Sequence, residues 1–268
     1  MMDTLSAVTF DLPDRKLKVG FYGITGCAGC LLSVIFNEDA ILQMLSHVDL
    51  KAFPFLKEVN IEDGFDVVFM EGLVACQDDL DTLKRLREKT TYLIALGACA
   101  HTGCVPAHRY FTAQENLKLL TYKKRDFIRD MEPAGISAHV KVDYIIPGCP
   151  PDRDEIVKFI LGMVRGVVPL PYRDPVCVEC RRNGNLCVLE EGRLCMGPIT
   201  RGGCDAVCTN GGFDCWGCRG HIDDPNLEAF TDLLREKGHT EEVVRQRMRA
   251  FIGKSYDVRM PAAVGEEK

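Results

Sequence analysis

From Leu17 to about Arg165 the chain alternates short apolar runs with stretches of helical periodicity. Leu17 to Gly23 (LKVGFYG), Asp66 to Gly72 (DVVFMEG), Tyr92 to Gly97 (YLIALG) and Asp143 to Ile146 (DYII) are brief, rich in β-branched and aromatic residues, and run into a Gly or Pro turn signal. Runs apolar on both faces predict buried parallel strands. A further strand is expected within Val48 to Asn60, weakened by Pro54. Between these runs lie helical patterns at Ala28 to Leu45, Gln77 to Lys89 and Asp152 to Arg165. The last starts after Pro150-Pro151, has Asp152 as its N-cap, and repeats Ile156, Ile160 and Met163 on one face. Strand following helix following strand predicts an α/β fold with a doubly wound parallel sheet.

After Gly166 the strand periodicity stops. VVPLPYRDP reads as an extended linker into a Gly-rich, loop-rich segment, in which bound metal is expected to replace a hydrophobic core. Two amphipathic helices follow. Asn226 to Glu236 carries Leu227, Phe230 and Leu234 on one face; Thr240 to Phe251 carries a Thr cap, Glu241 and Glu242 in its first turn, and Val244, Met248 and Phe251 on one face. The tail VGEEK is expected to be disordered, and no internal repeat is visible.

Composition changes the picture at one point. The 268 residues are 46% hydrophobic, enough for a substantial core, and the net charge of -6, with Lys and Arg spread out, argues against a nucleic-acid surface. The start, MMDTLSAVTFDLPDRKLK, shows neither a secretory nor a twin-arginine signal, so a cytoplasmic location is expected. The best membrane candidate, IVKFILGMVRGVV, is short and carries Lys158 and Arg165. Against this ordinary background stand 14 cysteines, eight of them between Cys177 and Cys218. In a reducing compartment such a density reads as metal ligation rather than disulfides.

The block offers Cys177, Cys180, Cys187 and Cys195, then Cys204, Cys208, Cys215 and Cys218, and four thiolates suit a cubane iron-sulfur cluster. Structural zinc also takes four and stays the rival. Cys187 and Cys195 stand apart, and three residues separate Cys204 from Cys208, an irregularity that favours cluster loops over paired zinc knuckles. Earlier in the chain, GITGCAGC, GACAHTGC and PGCPP close predicted strands, where open α/β sheets bind ligands. They supply Cys27 and Cys30, Cys99 or Cys104, and Cys149, a further four, although each thiol taken singly also suits a core position. Glu71 is expected to be a solvated loop carboxylate, Cys76 a packed thiol, Cys104 a second-choice ligand or neighbour, and His101, His108 and His221 hydrogen-bonding loop residues. No nucleophile and base pair, Walker loop or GxGxxG fingerprint is present, so bond-making chemistry falls to a partner.

Taken in order, Cys27-x-x-Cys30 after the first strand, Glu71-Gly72, GACA around Cys99, GCPP around Cys149, CVECRRNGNLC, LCMGPITRGGC and CWGC resemble the small subunit of nickel-iron hydrogenases, the cytoplasmic type in particular. The match spans about Val19 to Phe251. It implies a flavodoxin-like domain over residues 1–166, with a proximal cluster on Cys27, Cys30, Cys99 and Cys149. It implies a second domain over residues 167–268, with a distal cluster on Cys177, Cys180, Cys187 and Cys195 and a medial cluster on Cys204, Cys208, Cys215 and Cys218. Cys177 stands where exported relatives carry a histidine ligand, and Cys208 adds a thiolate where they have a three-iron cluster, so all three are expected as 4Fe-4S. Cys104 stands where relatives often have Gly, and Cys76 where Ser is common.

The resemblance further implies an oxidoreductase with no catalytic residue in this chain. The nickel-iron site belongs to a large partner subunit, and electrons pass on to an acceptor subunit of flavin and nicotinamide, deazaflavin or heterodisulfide reductase type. Arg181, Arg182 and Arg201, near the ligands, are expected to raise cluster potentials. The alternatives are a relative serving a quinone- or formate-linked complex without nickel, and a zinc-binding scaffold with no redox role.

Overall fold

Alternating β-branched and aromatic residues let each strand bury both faces, and the computed structural model, which describes residues 8–111 and 129–252, pairs them into one parallel sheet. Its strands are β1 (Leu17–Gly23), β2 (Val48–Ala52), β3 (Phe65–Glu71), β4 (Thr90–Leu96) and β5 (Tyr144–Ile146), in the order β2-β1-β3-β4-β5. This is the flavodoxin-like order, and ligands of such sheets sit outside the carboxyl ends of the strands. The expected strands are all present, displaced by two residues at most at a boundary, and β2 stops at Ala52, ahead of Pro54.

All seven residues of β3 are buried. One face of the sheet presents Val19, Phe21, Val67, Phe69 and Ile94 to Ile156, Phe159, Ile160 and Met163 of the helix Arg153–Val164. The other presents Tyr22, Val68, Met70 and Leu93 to Leu83 and Leu86 of the helix Gln77–Lys89. Asp152 caps the first of these helices by accepting the Glu155 N–H at 2.9 Å. Ala28 to Leu45, expected as one helix, is two: Gly29–Ile35 and Glu38–His47. At the break Arg153 donates to the Phe36 carbonyl at 2.9 Å, which takes the place of a continuing helical bond.

Register is what matters for function. β1 meets β3 with Gly23 opposite Glu71, β3 meets β4 with Glu71 opposite Leu96, and β4 meets β5 with Leu96 opposite Ile146. Four strands therefore end on one line, and the segments that leave them start side by side.

The expected linker begins as a two-residue strand, Val167–Val168, paired antiparallel with Val8–Thr9. Beyond it the expectation that metal replaces the hydrophobic core needs correction. The helices Leu227–Glu236 and Glu241–Ile252 close Phe230, Leu234, Val244 and Met248 over Val188, Leu194, Met196 and Ile199, with Cys195 and Cys215 inside the same apolar cluster. The helix faces were visible in the sequence; their apolar partners, scattered among the glycines and cysteines, were not. Asn226 caps the first of these helices, accepting the Ala229 N–H at 3.0 Å. The start MMDTLSA and the tail VGEEK lie outside the described residues.

Candidate metal centres

The first turn leaves β1 at Gly23, passes Cys27, exposed, and enters the helix Gly29–Ile35, which carries Cys30, buried. After β4 the expected turn is a short helix, Gly97–Thr102, with Cys99 inside it. Cys149 follows β5 and is exposed. The Ala98 N–H bonds the Gly148 carbonyl at 2.7 Å, tying the segment of Cys99 to that of Cys149. Gly97 is what lets Cys30 approach: its φ is +90°, and a Cβ there would fall 2.3 Å from the Cys30 Sγ. Behind the first turn, Asp79 accepts from Thr25 N at 3.0 Å, Thr25 Oγ1 at 2.8 Å, Ala75 N at 3.0 Å and Cys76 N at 3.2 Å. Burial opposes ionisation of this carboxylate, but the bonds from Ala75, Thr25 and Cys76 hold its pKa below the usual range.

The four thiols expected from these segments feel one another. Burial, then the negative charges of Glu71, Cys99, Cys149 and Cys27, push the Cys30 thiol far up. Cys104 is buried and lies against Cys99 and Cys149. A hydrogen bond with Cys104 lowers Cys99 against the effect of burial, and brings Cys149 down to about 7. Glu71 departs from expectation. It is buried, not solvated, at 2% exposure, because β3 ends inside the ring of loops. Burial raises its pKa, opposed by the backbone of Leu31, Cys30 and Ala28, and it accepts the Leu31 N–H at 3.3 Å. Cys76 is the N-cap of the helix Gln77–Lys89, where its side chain and that of Asp79 form a reciprocal capping box.

In the second region the helix Val176–Arg182 carries Cys177 and Cys180. Burial, then Cys195, Cys180 and Cys187, push the Cys177 thiol up to about 12, with Arg181 opposing. A Cβ on Gly197 would lie 3.2 and 3.5 Å from the Sγ atoms of Cys177 and Cys195, so this set closes tightly on the backbone there. Cys204, Cys208, Cys215 and Cys218 line one cavity of about 760 Å³, and Cys149 opens onto it. Burial raises all four thiols. Cys218 reaches about 11, held from rising further by a backbone bond at Cys149 and raised by its neighbours Cys204, Cys149 and Cys208. Among the described residues no three His, Cys, Asp or Glu are gathered as for a single ion; these thiols stand around a cavity wall.

The three sets are contiguous. Cys218 faces Cys149, and Cys195 accepts the Cys215 N–H at 3.3 Å. Buried thiols that raise one another's pKa cannot all ionise unless positive charge arrives, which is the condition that metal binding meets. The donor chemistry, the glycine cradles and the cavity all fit iron-sulfur clusters.

Of the three arginines expected near ligands, Arg181 acts on Cys177, Arg182 is exposed, and Arg201 gives its guanidinium to Asp223 at 2.7 Å and to the Tyr172 carbonyl at 2.9 Å. The cation set against Cys204 and Cys218 is Arg219, 1% exposed, which sequence reasoning passed over although it directly follows Cys218 in CWGCR. His108 bonds the Arg249 and Ala250 carbonyls at 3.1 Å, as expected of a loop histidine. His101 is different: its Nδ1 is buried without a partner, and burial with Arg201 and Arg219 nearby lowers its pKa to about 4. His221 is buried.

Known proteins resemble this chain in sequence and fold. The family model of NADH ubiquinone oxidoreductase, 20 kDa subunit, matches residues 27–163, about half of the chain. The chain is similar to sulfhydrogenase 2 subunit delta of Pyrococcus furiosus, 34% identical over 236 residues that cover 88% of this chain and 99% of the relative. It is 30% identical to a subunit of the vhu F420-non-reducing hydrogenase of Methanocaldococcus jannaschii, over 77% of this chain and 83% of the other. A solved NAD+-reducing NiFe-hydrogenase superposes with a TM-score of 0.54 at 26% identity, covering 59% of this chain and 97% of that one. The Ni-Fe-Se hydrogenase of Desulfomicrobium baculatum, 15% identical with a TM-score of 0.56 over 80% of this chain and 98% of its own, shares the fold.

Proposed function

The chain belongs to the NADH ubiquinone oxidoreductase 20 kDa subunit family, and from its likeness to hydrogenase subunits over most of its length we propose that it is the electron-transfer small subunit of a cytoplasmic nickel-iron hydrogenase. Cys27, Cys30, Cys99 and Cys149 hold a proximal cluster, Cys204, Cys208, Cys215 and Cys218 a medial one, and Cys177, Cys180, Cys187 and Cys195 a distal one. The division near Gly166 separates the unit with the first cluster from the unit with the other two. When bound, a 4Fe-4S cluster takes up and gives up an electron with little rearrangement. The large partner subunit carries the nickel-iron site and faces the exposed Cys27; an acceptor subunit takes electrons beyond the exposed Cys187. Among the described residues no helix is long and apolar enough to cross a membrane.

The observation that carries this reading is the order of the three sets. The middle four share a cavity with Cys149 of the first and adjoin Cys195 of the last through Cys215. Four thiols at any one site also suit zinc, but the irregular spacing and a row of three adjacent sites suit the relay of charge. The chain's own residues provide placement: parallel strand ends, close backbone at Gly97 and Gly197, and low-dielectric burial that tunes the potentials. The test is composition and colour. The complex purified without oxygen is expected to hold about twelve irons per copy of this chain and nickel in its partner, with visible absorbance bleached by dithionite. Zinc in place of iron overturns the reading.

A further inference from the structure

Three groups converge on the guanidinium of Arg219 through four hydrogen bonds. Nη1 and Nη2 meet the Glu155 carboxylate at 2.7 and 2.9 Å, Nη1 also donates to the Pro147 carbonyl at 2.9 Å, and Nε donates to the Gly202 carbonyl at 2.6 Å. Pro147 lies two residues before Cys149, Gly202 two before Cys204, and Arg219 itself follows Cys218. One side chain, carried on the loop of Cys218, thus bonds the loop of the first cysteine set and a second loop of the middle set. The packing leaves it little room to move: Gly203 has φ +105°, and a Cβ there would fall 2.4 Å from Nη2.

The neighbouring charges are known. Glu179 accepts the Gly203 N–H at 2.6 Å and stands 3.9 Å from the Cys204 Sγ. Arg201 is paired to Asp223. Arg219 is therefore the buried cation at this junction, and Glu155 the carboxylate that balances it. A fixed positive charge in a water-poor site favours the form of a redox centre that carries the extra electron, and its counter-ion reduces that preference.

We propose that Arg219 is a positioning residue that fixes the junction between the proximal and medial ligand sets, and that its charge, set against Glu155, raises the reduction potential of the medial cluster. The proposal rests on the ligand sets given above.

The experiment uses the whole complex, purified anaerobically, with the medial potential followed by EPR-monitored redox titration and its signal identified by the change in Cys208→Ser. Glu155→Gln keeps size and an acceptor oxygen but removes the balancing charge, so the medial potential is expected to move up. Arg219→Gln is expected to move it down, and Arg219→Lys, which keeps the charge and loses the fork, to stay closer to the parent value. Shifts of opposite sign from the two partners of one ion pair are what a merely structural loss does not produce. If Arg219→Gln fails to assemble, the direction in Glu155→Gln decides. No shift or a downward shift in Glu155→Gln, or an equal shift in Arg219→Lys and Arg219→Gln, overturns the proposal. Absence of iron and of EPR signals from the parent complex overturns the ligand sets instead.

Discussion

In the first half of the molecule the cysteines come from segments far apart in sequence, and what aligns them is the register of a parallel sheet; in the second half they come from one short stretch, and what aligns them is a set of tight loops over a small apolar core. The contrast locates where each site keeps its order when metal is absent. The core beneath the strand ends takes in Cys30 of the first set, whereas Cys195 and Cys215 belong to the small core they adjoin and Cys180 and Cys204 pack against it. The first set touches a core built by the sheet, and the second and third make up a larger part of theirs. Stripping the clusters anaerobically should expose that contrast most strongly. Amide hydrogen exchange is expected to show residues 176–220 losing protection while β1, β3 and β4 keep theirs, since metal binding in such loops is itself folding free energy. Equal loss in both halves would erase the distinction.

A change in the core that supports the sheet should act the other way. The Phe159 ring packs on Phe69 at 5.9 Å, Tyr144 at 4.5 Å and Phe10 at 6.5 Å between centroids, all beneath the strands that end at the first set. Phe159→Ala is expected to lower stability by about 3–5 kcal/mol, read by urea unfolding of the first half. Iron held by the Cys177 to Cys218 block should stay at its parent level. If that iron falls in step with stability, the halves are one cooperative unit and the contrast between them fails.

How much of this was legible in the sequence follows from the same contrast. β1, β3 and β4 were readable as short continuous apolar runs closed by turn signals, and the helix Gln77–Lys89 by its helical pattern. That Cys27, Cys30, Cys149 and either Cys99 or Cys104 lie on segments leaving neighbouring strand ends was readable once the strands were placed. Glu71 was misread, because a strand's last residue looks like a loop residue until the neighbouring loops close over it. Arg219 escaped notice for a related reason: a charged residue in a Gly-rich stretch looks solvated, and its carboxylate, Glu155, lies in the first turn of a helix in the other half. The apolar core of the second half was hidden because Val188, Leu194, Met196 and Ile199 show no periodicity. Long-range pairing leaves no local pattern.

Acid probes the first half at its leading turn. Asp79 is a carboxylate whose folded pKa lies below its ordinary value, because bonds from Ala75, Thr25 and Cys76 outweigh burial. Such a group contributes stability that is fully present above its unfolded pKa, near 3.9, and is lost as pH falls through the lower folded value. Asp79→Asn is expected to cost about 1–3 kcal/mol at neutral pH, and to flatten the part of the acid-unfolding curve that lies between those two values. Thermal or urea unfolding of the parent and variant from neutral to strongly acid pH reads both effects. A variant that keeps the parent's acid limb would show that the Asp79 clamp does not hold the turn of Cys27.

Paired cap deletions, one in each half, should produce the most modest changes. Asp152 and Asn226 each accept one backbone N–H at a helix start, at 2.9 and 3.0 Å. Removing such a cap costs about 1 kcal/mol, and Asp152→Ala also removes an anion from a helix N-terminus, worth about 0.3–1 kcal/mol more. In the cluster-loaded protein, Asp152→Ala should register as a small loss of global stability, because its helix lies under the sheet and its first turn presents Glu155 to Arg219. Asn226→Ala should register only as faster hydrogen exchange in Leu227–Glu236, because metal ligation then dominates the stability of the loops that this helix covers. With the clusters removed, the order should reverse, and Asn226→Ala should become the more damaging of the two. An unchanged order in the stripped protein would mean that the apolar core under Phe230 and Leu234 stands without help from metal.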